Sequence, residues 1–104
     1  MANLREMLPE QREQFLLKSL QLLMLGELTQ GQLLKRLRKE LLRQNQEQFA
    51  SLVKISRRTL SDIENDRGDM TVDTLNKVFG LFGLKVGLLP KSALKANRLL
   101  TLGV

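Results

Sequence analysis

Residues Gln46 to Asn65 read QEQFASLVKISRRTLSDIEN, and the spacing of their apolar residues decides the fold. Phe49 and Val53 stand one helical turn apart in the first half, Leu60 and Ile63 recur at helical spacing in the second, and Ile55 lies between the two pairs. Small Ala50 falls where two helices must approach closely. Ser56 is a natural N-cap, so the stretch reads as a short helix from Gln46 to Leu52, a turn, and a second helix from about Arg57 to Asn65. The polar positions between the apolar ones are then free to face outward. Arg57 and Arg58 stand at the start of the second helix, the place from which a helix presents side chains to the major groove of DNA.

The chain has 104 residues, enough for one domain with a modest core, and oligomerisation is expected to help it. It contains no Cys and no His, which excludes disulfides, thiol chemistry, histidine acid-base catalysis and the usual zinc ligand sets. Tyr is absent too, so little remains from which to build a nucleophile, a base and oxyanion donors; the chain is not expected to be an enzyme, and no cofactor is implied. The longest apolar run, Phe15 to Leu25, is broken by Lys18, Ser19 and Gln21 and is too short to cross a bilayer. It follows Glu6, Glu10 and Glu13, unlike the basic lead of a secretory signal, and a cytoplasmic location is expected.

The net charge of +6 is unevenly placed. Residues 29 to 68 carry nine Lys or Arg against five Asp or Glu, the first 28 residues sum to −1, and residues 91 to 104 hold three bases and no acid. A basic patch attracts polyanions by releasing condensed counterions, so binding of this kind weakens steeply with salt. Taken without the helix pair, the same charges read equally well as a solvated helical face.

Working outward, Pro9 and Glu10 suit the first turn of a helix in which Leu16, Leu20, Leu23 and Met24 recur until Gly26. Leu17, Leu22 and Leu25 widen its apolar surface nearly all round, so it is expected to be buried, against a second subunit if not within the chain. Thr29 or Gly31 begins a further helix with Leu33, Leu34, Leu37 and Leu41 on one stripe. After Asn65, the residues Arg67, Gly68 and Asp69 end the second motif helix. Thr71 or Asp73 caps a last helix whose Leu75, Val78, Phe79 and Phe82 share a face before Gly83 stops it. Leu84 to Leu89 then alternates Leu84, Val86 and Leu88 with Lys85 and Gly87 before Pro90, which reads as one strand that must find a partner.

On four segments in order and spacing, residues 30 to 83 resemble the Cro/C1-type (XRE) helix-turn-helix family: LRKE at Leu37 to Glu40, NQEQFA at Asn45 to Ala50, SRRTLSDIEN at Ser56 to Asn65 and TVDTLNKVFGLFGL at Thr71 to Leu84. The resemblance implies an all-α protein with a five-helix lambda-repressor-like domain at residues 29–83. To this the chain adds an N-terminal helical extension (1–28), a strand (84–90) and a basic tail (91–104). The segment LKVGLLPK is similar to the end of HipB-type antitoxins, where a strand pairs across a dimer, which puts Leu84, Val86 and Leu88 in a dimer interface. The sequence departs from the family at Lys54 and at Arg43–Gln44, where the family commonly has Gly at the turn and before the first motif helix.

By the same resemblance, Gln46 meets a phosphate at the start of the first motif helix, and Ser56, Arg57, Arg58 and Ser61 reach the groove. Arg57 and Arg58 are the expected specificity residues, since an arginine grips guanine O6 and N7 with two hydrogen bonds. Thr59 is placed for a thymine methyl or a phosphate, Asn65 and Arg67 for the backbone, and Lys54 for a phosphate from the turn. Ser56 is first a helix cap, and Lys39 with Glu64 matches a family ion pair between the first domain helix and the recognition helix. The implied function is that of a homodimeric repressor of operator DNA with an inverted repeat, as the antitoxin of a type II pair that neutralises a HipA-like kinase toxin. A phage-type repressor or a restriction-modification controller shares every one of these DNA-binding features. From another class, a protein-interaction module that binds no DNA fits the Leu-rich N-terminal helix and the strand.

Overall fold

The computed structural model describes residues 7–102. Six helices follow one another: α1 (Pro9–Met24), α2 (Gln30–Leu37, continued by a wider π turn over Arg38–Leu42), α3 (Gln46–Val53), α4 (Arg57–Glu64), α5 (Val72–Gly80) and α6 (Ala93–Leu100). Five of these starts are fixed by a hydroxyl or amide cap of the kind that satisfies orphan N–H groups, that of α6 by Ser92. Thr29 accepts from the Gln32 N–H, Asn45 from Gln48, Ser56 from Thr59 and Thr71 from Thr74. None of the helices is long and apolar enough to cross a membrane, among the described residues.

The core forms where the apolar stripes of α2, α3, α4 and α5 meet. Leu33, Leu34, Leu37, Phe49, Leu60 and Val78 are almost wholly withdrawn from water. Phe49 of α3 stacks on Phe82 just past α5, with ring centroids 6.0 Å apart and planes 13° from parallel. Helices α2 and α4 cross at Gly31, where an added Cβ would stand 2.4 Å from the Ile63 carbonyl oxygen. The loop after α4 locks the same crossing: Asp66 Oδ1 accepts from the Gly31 N–H at 2.8 Å, and its Oδ2 accepts from the Thr29 hydroxyl at 2.6 Å.

The N-terminal helix is part of this fold rather than an appendage. Phe15, Leu16, Leu20 and Leu23 of α1 pack on the core, whereas Leu17 faces out, so the helix is half-buried and not enclosed all round as its composition suggests. Two arginines add polar joints. Arg36 donates to the buried Ser19 hydroxyl at 2.8 Å, its guanidinium lies 4.6 Å above the Phe15 ring, and Arg12 donates to the Leu41 carbonyl at 2.8 Å.

Both places where the family usually has Gly keep the left-handed backbone with a side chain on it: Arg43 has φ 55° and Lys54 has φ 62°. A Cβ in that region costs about 1–2 kcal/mol. Lys54→Gly is therefore expected to stabilise the fold by about 0.5–1 kcal/mol, after the extra chain entropy of Gly is subtracted, and to raise the thermal midpoint by a few degrees. A lowered midpoint in differential scanning calorimetry would show that the Lys54 side chain stabilises the turn by more than its backbone strain.

One expectation is corrected beyond α5. Residues 84–90 form no strand, and no strand occurs among the described residues. A strand exists only by pairing, and no extended segment pairs with this one among the described residues; instead the Val86 N–H donates to the Asn76 side-chain oxygen at 2.7 Å. The stretch covers an apolar hollow against α1, α2 and α5, with Leu84 half-buried and Leu88 fully exposed. The basic tail contains a helix: Ser92 caps α6, and Ala96 is buried where α6 meets α1.

Candidate nucleic-acid interface

The second motif helix, α4, divides cleanly. Leu60, Ile63 and Glu64 point inward and are buried, while Arg57 and Arg58 are exposed and Ser61 is half-buried. At about 100° per residue, positions 57, 58 and 61 share one arc of the helix and 60, 63 and 64 share the arc beside it, with 57 and 64 nearly in line two turns apart.

Buried Glu64 fixes how that face is set. Its carboxylate accepts two hydrogen bonds from Arg38, at 2.6 Å from Nε and 3.0 Å from Nη2, and a third at 3.0 Å from Gln46 Nε2. Arg38 uses its remaining nitrogen, Nη1, to donate to the Gln44 carbonyl at 2.7 Å. One carboxylate thus ties α4 to the π turn after α2 and to the first residue of α3, and through Arg38 to the loop before α3. With each residue 5% exposed, this is a buried, bidentate ion pair. It also corrects the expected partner: Arg38, not the exposed Lys39, meets Glu64. Adjacent residues of a helix point about 100° apart, so only one of the two can face α4. The forked guanidinium supplies the three bonds this place uses.

Gln46 opens α3 behind the Asn45 cap, with one amide hydrogen committed to Glu64. Gln46, Arg57, Arg58, Ser61, Asp62 and Arg67 together line one shallow hollow on the surface. Lys54, Ser56, Thr59 and Asn65 lie outside it. Ser56 accepts from the Thr59 N–H at 3.0 Å and donates to the Thr59 hydroxyl at 2.8 Å, so both side chains are engaged in the cap. Asn65 folds back to donate to the Ser61 carbonyl at 2.8 Å. Arg67 lies 3.8 Å from Asp62 in an exposed ion pair, a weak tie of at most about 1 kcal/mol. Lys54 is exposed at the turn. Arg57 and Arg58 make no hydrogen bond or ion pair among the described residues, which leaves two solvated guanidinium forks beside the start of α3.

Arg38 and Asp66 were not singled out by the sequence reading. Arg38 had a signal, as a basic residue one position from the expected partner of Glu64. Asp66 had none, because its acceptors serve a helix start 35 residues earlier in the chain.

The family model described as helix-turn-helix matches residues 34–89 of this chain, slightly more than half of it. No curated protein and no solved structure matches.

Proposed function

Because this chain belongs to the Cro/C1-type helix-turn-helix family of DNA-binding transcription regulators, we propose that it is a dimeric repressor that reads an inverted repeat in double-stranded operator DNA. The observation that carries this is the face of α4: Arg57, Arg58 and Ser61 stand together in the open, beside the N-terminus of α3 and on a helix held from behind by the Glu64 network. Gln46 positions the protein through its backbone N–H and its second amide hydrogen on a phosphate at the α3 start. Arg57 and Arg58 read bases, Ser61 supports them, and Lys54, Thr59, Asn65 and Arg67 add backbone contacts at the margin. In a two-fold dimer the half-sites lie about one helical turn apart, roughly 34 Å.

Dimerisation draws support from residues 84–90, where the backbone N–H groups of Lys85, Gly87, Leu88 and Leu89 have no intrachain acceptor among the described residues. An open row of this kind accepts a second chain edge to edge. The antitoxin role, with repression of its own operon and neutralisation of a HipA-like kinase, rests on the similarity of LKVGLLPK to the end of HipB-type antitoxins. Capture of the tagged protein from its host tests it, with sequencing of the retained DNA and mass spectrometry of the retained protein. Its own promoter together with a kinase-like neighbour supports the antitoxin; a promoter alone leaves a free-standing repressor; a protein with no enriched DNA contradicts the repressor.

Positioning and reading separate experimentally. Arg58→Ala is expected to cost about 1–3 kcal/mol on the cognate site and to relax the preference at one base pair. Gln46→Ala weakens cognate and scrambled duplexes alike and lowers the salt slope. Fluorescence anisotropy against single-base variants of the site checks both, and equal weakening of every duplex by Arg58→Ala would refute base reading there.

A further inference from the structure

We infer that the dimer is held chiefly by a leucine surface formed by α1 and α6, with residues 84–89 as its edge; this rests on the dimeric reading above. Among the described residues twelve large apolar side chains are exposed, and eight of them cluster on these elements: Leu17 on α1, Val86, Leu88 and Leu89 before Pro90, and Leu94, Leu99, Leu100 and Leu102 on or just after α6. Five of the eight, Leu17, Val86, Leu88, Leu89 and Leu100, line two joined hollows. The hollow under residues 84–89 and the hollow between α1 and Leu100 share Leu20 and Met24 as a common wall. A helix buried only through Ala96 while four leucines on it and just past it face water is half of an interface.

A second copy of this chain is the occupant that fits. A stable interface takes about 800 Å² from each partner. Eight apolar side chains, each more than a third exposed, supply surface of the required order. Lys91, Lys95 and Arg98 flank or lie on α6 with no acid, while α1 carries Glu10 and Glu13 with Arg12 between them and Lys18 beyond. In a two-fold dimer this surface meets its own copy, as an isologous contact requires. None of Arg57, Arg58 and Ser61 lines either hollow, so the pairing leaves the α4 face open to DNA.

Sedimentation equilibrium of the full chain tests this, comparing the wild type with Leu94→Glu/Leu99→Glu and, separately, with Leu88→Pro. The wild type is expected at twice 11.9 kDa, and the double variant at 11.9 kDa with its dissociation constant raised about 100-fold or more and its far-UV circular dichroism unchanged. If Leu88→Pro abolishes the dimer while Leu94→Glu/Leu99→Glu leaves it at wild-type strength, the α1–α6 interface is wrong and the dimer stands. If the wild type sediments as a monomer up to about 100 μM, the dimeric reading falls and this inference with it.

Discussion

Glu64→Ala is expected to destabilise the protein by about 3–5 kcal/mol in equilibrium urea unfolding, a large part of the 5–15 kcal/mol that a domain of this size possesses. The cause is what it leaves behind. Arg38 is 5% exposed and spends two of its three nitrogens on Glu64, so removing the carboxylate strands a guanidinium away from water with only the Gln44 carbonyl to satisfy it. Gln46 loses its acceptor in the same step, and the start of α3 is freed from α4. The pair itself need not be a large net stabiliser, because desolvation offsets much of its attraction. Arg38→Met/Glu64→Leu should accordingly recover most of the loss, since no charge is then left buried. A single-variant loss under about 1 kcal/mol would mean that Arg38 reaches water when Glu64 is removed, contrary to its burial.

Gly31→Ala is expected to cost about 3 kcal/mol, at the upper end of overpacking effects. An added methyl would meet the backbone of α4 at three atoms: the Ile63 carbonyl oxygen at 2.4 Å, the Glu64 oxygen at 2.6 Å and the Glu64 carbonyl carbon at 2.8 Å. Backbone does not swing aside as a side-chain tip does, so α2 and α4 must separate. That separation breaks the Gly31 N–H bond to Asp66 and lengthens the reach of Arg38 to Glu64. Because α4 presents Arg57 and Arg58, the same substitution should weaken DNA binding at temperatures where the domain is still folded. Unchanged chemical unfolding in the variant would contradict the close crossing.

What the sequence made legible follows from how local each signal is. The caps Thr29, Asn45, Ser56 and Thr71 act within three residues of themselves, and the apolar spacing of α3, α4 and α5 is a property of single helices, so these elements are readable from the chain alone. Residues 84–90 mislead for the opposite reason: alternation records which side chains want burial, while a strand needs a partner that no single chain here provides. The α6 helix was missed because a stretch of eight residues with three bases nearby reads as a tail, although Ser92 in front of it is a cap like the others. At the proposed interface, Arg57, Arg58 and Ser61 are brought together with Gln46, which sequence spacing could suggest; that Asn65 and Ser56 spend their side chains on α4 itself is visible only in three dimensions.

The most direct test of the central claim, that the exposed face of α4 reads DNA sequence, is selection of duplexes from a random pool by the wild type and by Arg57→Ala/Arg58→Ala, followed by anisotropy titration of the enriched site at fixed salt. The wild type should enrich an inverted repeat and bind it about 10³-fold or more tightly than a scrambled duplex, and the double variant, folded by circular dichroism, should lose most of that ratio. Enrichment of no sequence by the wild type at low salt, or a double variant that keeps the full ratio, would contradict it.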